Sequence, residues 1–139
     1  MLRVTIFLVA FFAFVFSALA TPLPSNGNST EIIEKRITHT GRGTWFYPGL
    51  GNCGYTDSSS YPVVAIGIGR YGDGGNCNQW VQIQNTANGN MVYGQTRDSC
   101  QSCSDSDLDM SPTLFEGLAS LDTGEITISW HFMEMDWSP

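Results

Sequence analysis

The stretch from Ser104 to Glu116, SDSDLDMSPTLFE, holds the densest set of groups capable of chemistry. Asp105, Asp107 and Asp109 alternate, and Glu116 stands eleven positions after Asp105. That spacing approaches the acidic pattern of an EF-hand calcium loop, which needs a glycine at its sixth position to turn sharply. Here the sixth position is Met110 and the eighth is Pro112, and no amphipathic helix comes before. Calcium is therefore not expected, and no other metal site is read in the chain. Carboxylates acting as hydrogen-bond acceptors fit better. Thr96-Arg97-Asp98 ends a strand, Cys100 and Cys103 follow, and Leu108-Asp109-Met110-Ser111-Pro112 leads into a helix. A bridge at the cysteines would fold this segment back, so that Asp98 and Asp109 face one another across a groove. Asp109 stands two residues before the cap position Ser111, where amide donors would hold it ionised. The equal alternative is that Asp109 only orders the turn.

The four cysteines are Cys53, Cys77, Cys100 and Cys103. An oxidising compartment predicts two disulfides. Cys100-x-x-Cys103 could also be a zinc or redox pair. Zinc would need further soft ligands at matching spacing, and only His39 and His131 are at hand. A redox pair would sit at a helix start in a βαβ setting, which the pattern lacks. The reading favoured here ties Cys53 and Cys77 to the 100–103 turn, with the pairing itself open.

Short strands separated by turn formers must position these groups. Thr44–Tyr47, Val63–Ile68, Trp80–Gln84, Met91–Thr96 and Ile126–Phe132 are rich in β-branched and aromatic residues and are predicted as strands. The turn Asn85–Asn90 is predicted to join two of them as a hairpin. In Trp80–Gln84, Val81 and Ile83 should face a core and Trp80, Gln82 and Gln84 the other side, with Trp80 either a contact residue or covered by a loop. Ser111-Pro112 opens a predicted helix with Leu114, Phe115, Leu118 and Leu121 at helical spacing. The fold class is mainly β with one short helix.

Residues 1–20 form an apolar run behind Arg3 that ends in Ala18-Leu19-Ala20, and they are predicted to be a signal peptide rather than a membrane anchor. Residues 21–36 read as a propeptide ending at Lys35-Arg36, or as a disordered arm, with a glycosylation sequon at Asn28. Residues 37–139 form the predicted domain, enough for one core. The expected location is extracellular, with no membrane association after processing. Beyond Arg36 the chain carries three arginines, no lysine and eleven acidic residues, which argues against nucleic acid and anionic membrane as partners.

Gly43-Thr44-Trp45-Phe46-Tyr47, Asn52-Cys53-Gly54, the Cys77–Ile83 strand, Thr96–Cys100, Leu108–Pro112 and Gly124–Trp130 follow one another in the order found in rare lipoprotein A-like double-psi β-barrels. The chain resembles that family from about Gly41 to Phe132, and among its members the single-domain fungal loosenins. The resemblance implies a six-stranded, disulfide-stapled double-psi β-barrel with an open groove for polysaccharide. It implies that Asp109 is the essential groove aspartate, Asp98 its acidic neighbour and Thr44 a groove threonine. Cys100 falls where bacterial expansins carry a groove tyrosine. The family's second, carbohydrate-binding domain has no counterpart before Pro139, which weakens the expectation of tight cellulose binding. A fungal source fits the resemblance and the dibasic site.

Glycoside hydrolysis needs two suitably placed carboxyl groups. Lytic relatives carry the second on the first strand, where Thr44–Tyr47 has none, and Asp98 and Asp57 are poor substitutes. No serine nucleophile motif is present. The expected function is secreted, non-hydrolytic binding and loosening of cell-wall polysaccharide (cellulose, chitin or a related glucan), without a cofactor. Trp45 and Tyr47 would line the groove, and Tyr55 and Trp80 could stack on sugar rings. The alternative is a protein-binding module, a cysteine-protease inhibitor or an effector acting on a host protein. Lytic cleavage of a glycan is the weakest alternative.

Overall fold

The computed structural model describes residues 37–139. The signal-peptide, propeptide and Asn28 expectations lie outside them. The elements in chain order are β1 (His39–Trp45), β2 (Val63–Gly67), α1 (Ile68–Tyr71), β3 (Trp80–Asn85), β4 (Met91–Cys100), β5 (Leu108–Met110), α2 (Pro112–Glu116), a 3-10 turn (Leu121–Thr123) and β6 (Ile126–Phe132). The strands close into a barrel in the order β1-β5-β2-β4-β3-β6. β1 runs parallel to β5 and β2 parallel to β4, and the other neighbours are antiparallel. Closure leaves no unpaired sheet edge.

Alternation along the strands fills the interior. Val64 and Ile66 of β2, Val81 and Ile83 of β3, Leu108 and Met110 of β5, and Ile128, Trp130 and Phe132 of β6 form one buried cluster. Leu114, Phe115 and Leu118 join it from the α2 region. That packing needs Gly94: a Cβ there would collide with the Leu114 and Val64 side chains. Val81 and Ile83 are inside, as the alternation of Trp80–Gln84 predicts.

Several element boundaries differ from the sequence reading. β1 begins at His39 and ends at Trp45, although the Phe46 amide still donates to the Met110 carbonyl at 2.9 Å. β4 runs on to Cys100, because Asp98, Ser99 and Cys100 pair with Ala65, Ile66 and Gly67 of β2. β5 has three residues, too few to show a period in sequence. α2 stops at Glu116, and the apolar Leu118 and Leu121 reach the core through the following turns.

The favoured disulfide reading is wrong. The bridges are Cys53–Cys77 and Cys100–Cys103, with Cα–Cα separations of 5.6 and 5.3 Å. The reason lies in β4. The Cys53 amide donates to the Arg97 carbonyl (3.1 Å), and the Asn78 amide, next to Cys77, donates to the Thr96 carbonyl (2.9 Å). Both loops are thus pinned to neighbouring residues of one strand, which brings their cysteines together.

Candidate functional site

Thr44, Asp109, Ala65 and Asp98 form a row across four adjacent strands. Thr44 of β1 pairs with Asp109 of β5, Asp109 with Ala65 of β2, and Ala65 with Asp98 of β4. Paired residues project to one face of a sheet. Leu108 and Met110 point into the barrel, so Asp109 between them points out. The two carboxylates thus flank the Ala65 methyl, with Cα atoms two strand spacings, on the order of 10 Å, apart. Asp98 and Asp109 stand in one row either side of Ala65, placed there by strand register and the register shift beside Ala65 rather than by a folded-back disulfide loop.

The two aspartates are held differently. The Thr44 hydroxyl donates to Asp109 Oδ1 at 2.8 Å. Burial pushes the Asp109 carboxyl above its ordinary value, opposed by the Thr44 hydroxyl, the Met110 amide and the charge of Arg42. The sequence reading expected amides ahead of α2 to hold it ionised. Instead, desolvation outweighs the donors that reach it. Asp98 Oδ1 accepts the backbone amides of Asn52 (2.9 Å) and Ser99 (2.8 Å). It ties the loop after β1 to β4 in addition to bordering the row.

Trp45 and Tyr47 lie at the end of β1 beyond Thr44. Trp45 is partly buried against the core and donates its indole N–H to the Leu121 carbonyl at 3.1 Å. Tyr47 meets Trp45 edge-on at 5.5 Å and is 73% exposed. Trp45 is thus a backing wall and Tyr47 the exposed ring. Tyr55 has one face over the Arg97 guanidinium, 4.0 Å from the ring centroid. Trp80 is on β3, three strands from β5 in either direction round the barrel. It packs edge-on to Trp137, which also contacts Tyr93, so a C-terminal segment covers it and it does not join the row.

Asp107 and Asp57 have structural partners. Asp107 accepts the amides of Arg42 (2.8 Å) and Ser104 (3.0 Å) and pairs with the Arg42 guanidinium. Burial is the largest single influence on its carboxyl and raises it, but those hydrogen bonds and the Arg42 charge together bring it below its ordinary value. Asp57 pairs with Arg97 at 3.7 Å. Among the described residues no cluster of His, Cys, Asp and Glu is placed to hold a metal ion.

The sequence reading missed Ala65 and, in the loop from Phe46 to Thr56, named Tyr47 and Tyr55 but missed Leu50. Ala65 gave no signal because it sits inside an apolar run. Leu50 gave little signal, because it is one apolar residue among turn formers.

No family model matches the chain. It is 31% identical over 111 residues to expansin-like protein 5 of Dictyostelium discoideum, covering 71% of this chain and 46% of that protein. It is 31% identical over 129 residues to the papain inhibitor of Streptomyces mobaraensis, covering 87% of this chain and 89% of that protein. Among solved structures, the Streptomyces papain inhibitor superposes with a TM-score of 0.63 at 30% identity, over 70% of this chain and 96% of its own. The Clavibacter michiganensis expansin, solved as an Asp-to-Asn mutant in complex with cellohexaose, gives 0.65 at 24% identity, over 74% of this chain and 54% of its own. The chain therefore spans about half the length of these expansin relatives and nearly all of the inhibitor.

Proposed function

The chain belongs to the expansin-like double-psi β-barrel family, and from that premise we propose that it is a secreted, loosenin-like protein that binds cell-wall polysaccharide along the Thr44–Asp109–Ala65–Asp98 row without cleaving it. One observation carries the reading: a half-buried carboxylate on the outer barrel wall, fixed by the Thr44 hydroxyl. Fixing Oδ1 leaves Oδ2 to accept a hydrogen bond from a sugar hydroxyl. Partial burial strengthens such a bond by excluding competing water. Ala65, small and buried, keeps the wall low between the carboxylates, and Tyr47 offers a ring face for a sugar beyond Thr44. A chain held along the row is withdrawn from its neighbours in the wall, which loosens the wall with no covalent step.

Hydrolysis is the weaker reading because the neighbouring carboxylates are otherwise engaged. Asp98 Oδ1 holds the loop, and Asp57 is paired with Arg97. The Clavibacter expansin mutant is bound to cellohexaose in its crystal structure, which supports a glucan as the ligand class. The test is co-sedimentation with insoluble cellulose, chitin and β-glucan. Binding to at least one, no release of reducing ends, and a loss of about tenfold in affinity for Asp109→Asn are expected. Undiminished binding by Asp109→Asn rules out the site.

A second reading is favoured by length. The papain inhibitor is matched over 89% of its own sequence, against 46% for the expansin-like protein. On this reading the same barrel is a protein-binding module directed at a cysteine protease, and slowed papain turnover in its presence is the expected observation.

A further inference from the structure

We infer that the loop from Phe46 to Thr56 is a wedge that enters the substrate cleft of a papain-like cysteine protease, with Leu50 as its main anchor and Tyr47 beside it; this rests on the second reading above. The loop is built for presentation. Leu50 is 75% exposed and Tyr47 73%, so neither side chain supports the barrel core.

The backbone beneath them is held at many points. The Asp57 amide donates to the Gly49 carbonyl (3.0 Å) and the Gly51 amide to the Tyr55 carbonyl (2.9 Å), on either side of a β-bridge between Leu50 and Thr56. The Cys53–Cys77 bridge fastens the loop to the segment before β3, and the Cys53 amide on the Arg97 carbonyl and the Asn52 amide on Asp98 fasten it to β4. The Tyr71 hydroxyl donates to the Asn52 carbonyl at 2.9 Å. Gly51 is required at its position, since a Cβ would run into the Arg97 carbonyl oxygen. A loop fastened this way loses little conformational freedom when it binds.

The chemistry of the loop selects the occupant. An exposed leucine has no ring face to stack on a sugar, and it is buried well by an apolar pocket in a protein. Residues 43–56 carry no charge, so insertion strips water from no ion. In the Leu50–Thr56 bridge the bonded groups belong to the flanking residues, so the amide and carbonyl of Leu50 point to the open side. That edge suits a cleft that holds peptide substrates as extended strands.

The experiment measures inhibition of papain by the full chain and by the Leu50→Asp, Tyr47→Ala and Asp109→Asn variants, with melting curves showing that each is folded. Wild type and Asp109→Asn should inhibit equally, Leu50→Asp should be weaker by roughly tenfold to a hundredfold, and Tyr47→Ala by a smaller factor. Leu50→Asp should keep its binding to cellulose or chitin. Inhibition by Leu50→Asp equal to wild type overturns the loop assignment while the protease reading stands. Loss of inhibition in Asp109→Asn alone moves the contact to the carboxylate row and also overturns the assignment. Absence of inhibition by wild type overturns both the assignment and the protease reading.

Discussion

Asp98 joins two neighbouring regions with opposite surfaces. On one side is the row across β1, β5, β2 and β4: ladder pairing with a register shift beside Ala65, and two carboxylates set close to the barrel wall on either side of that small buried residue. On the other is the loop from Phe46 to Thr56: irregular, uncharged and apolar at its tip, fastened to the segment before β3 by a disulfide and to β4 by Asp98 itself. The row is positioned by the barrel and needs no staple. The loop has no core of its own, so its shape depends on the staple and on backbone contacts. The barrel can therefore carry two recognition surfaces that respond to different substitutions.

The largest expected effect separates the regions by stability. Replacing Cys53 and Cys77 by Ser removes a bridge closing 24 residues, worth about 3 kcal/mol in the loop-entropy model. Papain inhibition should fall with it, while glycan binding should persist wherever the barrel remains folded in a denaturant series. Removing Cys100–Cys103, with a separation of 3, should cost less, about 2 kcal/mol. Gly51→Ala should come next. Its Cβ forces the loop off the Arg97 carbonyl, at a cost of roughly 1–3 kcal/mol in chemical denaturation, with inhibition lost before glycan binding.

A smaller effect sharpens the contrast through pH. The Asp107 carboxyl is lowered below 3.8 in the folded protein, so it contributes stability above that pH and loses it as pH falls further. Asp109 is raised above 3.8, so its contribution runs the other way: stability declines as pH rises from 3.8 through the folded value. Melting temperatures from pH 2 to pH 7 should show Asp107→Asn losing stability at neutral pH and not at pH 2. Asp109→Asn should remove the opposite slope and melt no lower than wild type at neutral pH. Leu50→Asp should have the smallest effect, a melting free energy within about 0.5 kcal/mol of wild type, because the side chain packs on nothing in the core.

Much of the barrel is legible in sequence because its signals are local. Val81 and Ile83 alternate with polar neighbours, and Ile126–Phe132 is a strand with the predicted bounds. β5 is not legible, since Leu108-Asp109-Met110 is too short for a period and its pairing partners lie far away in the chain. The disulfide pairing is set by how two loops lie on β4, a tertiary fact with no trace in cysteine spacing. At the site, Asp109 and Thr44 are readable as polar residues in a specific motif, and their hydrogen bond follows from strand register. The role of Asp98 as the loop's fastener is not readable, because a carboxylate facing a ligand and one facing a backbone amide look alike in sequence. Trp80 presents the same difficulty: its strand places it outside, and only the later Trp137 covers it.

The central claim, that the Thr44–Asp109 pair on the barrel wall is where polysaccharide binds, is tested most directly by titrating the isotope-labelled protein with cellohexaose and following its backbone amides by NMR. The account predicts saturable shifts at Thr44, Ala65 and Leu108–Met110 that need about tenfold more cellohexaose in Asp109→Asn. Shifts confined to the opposite wall at Trp80, Tyr93 and Trp137, or shifts at the row that saturate at the same cellohexaose concentration in Asp109→Asn as in wild type, would contradict it.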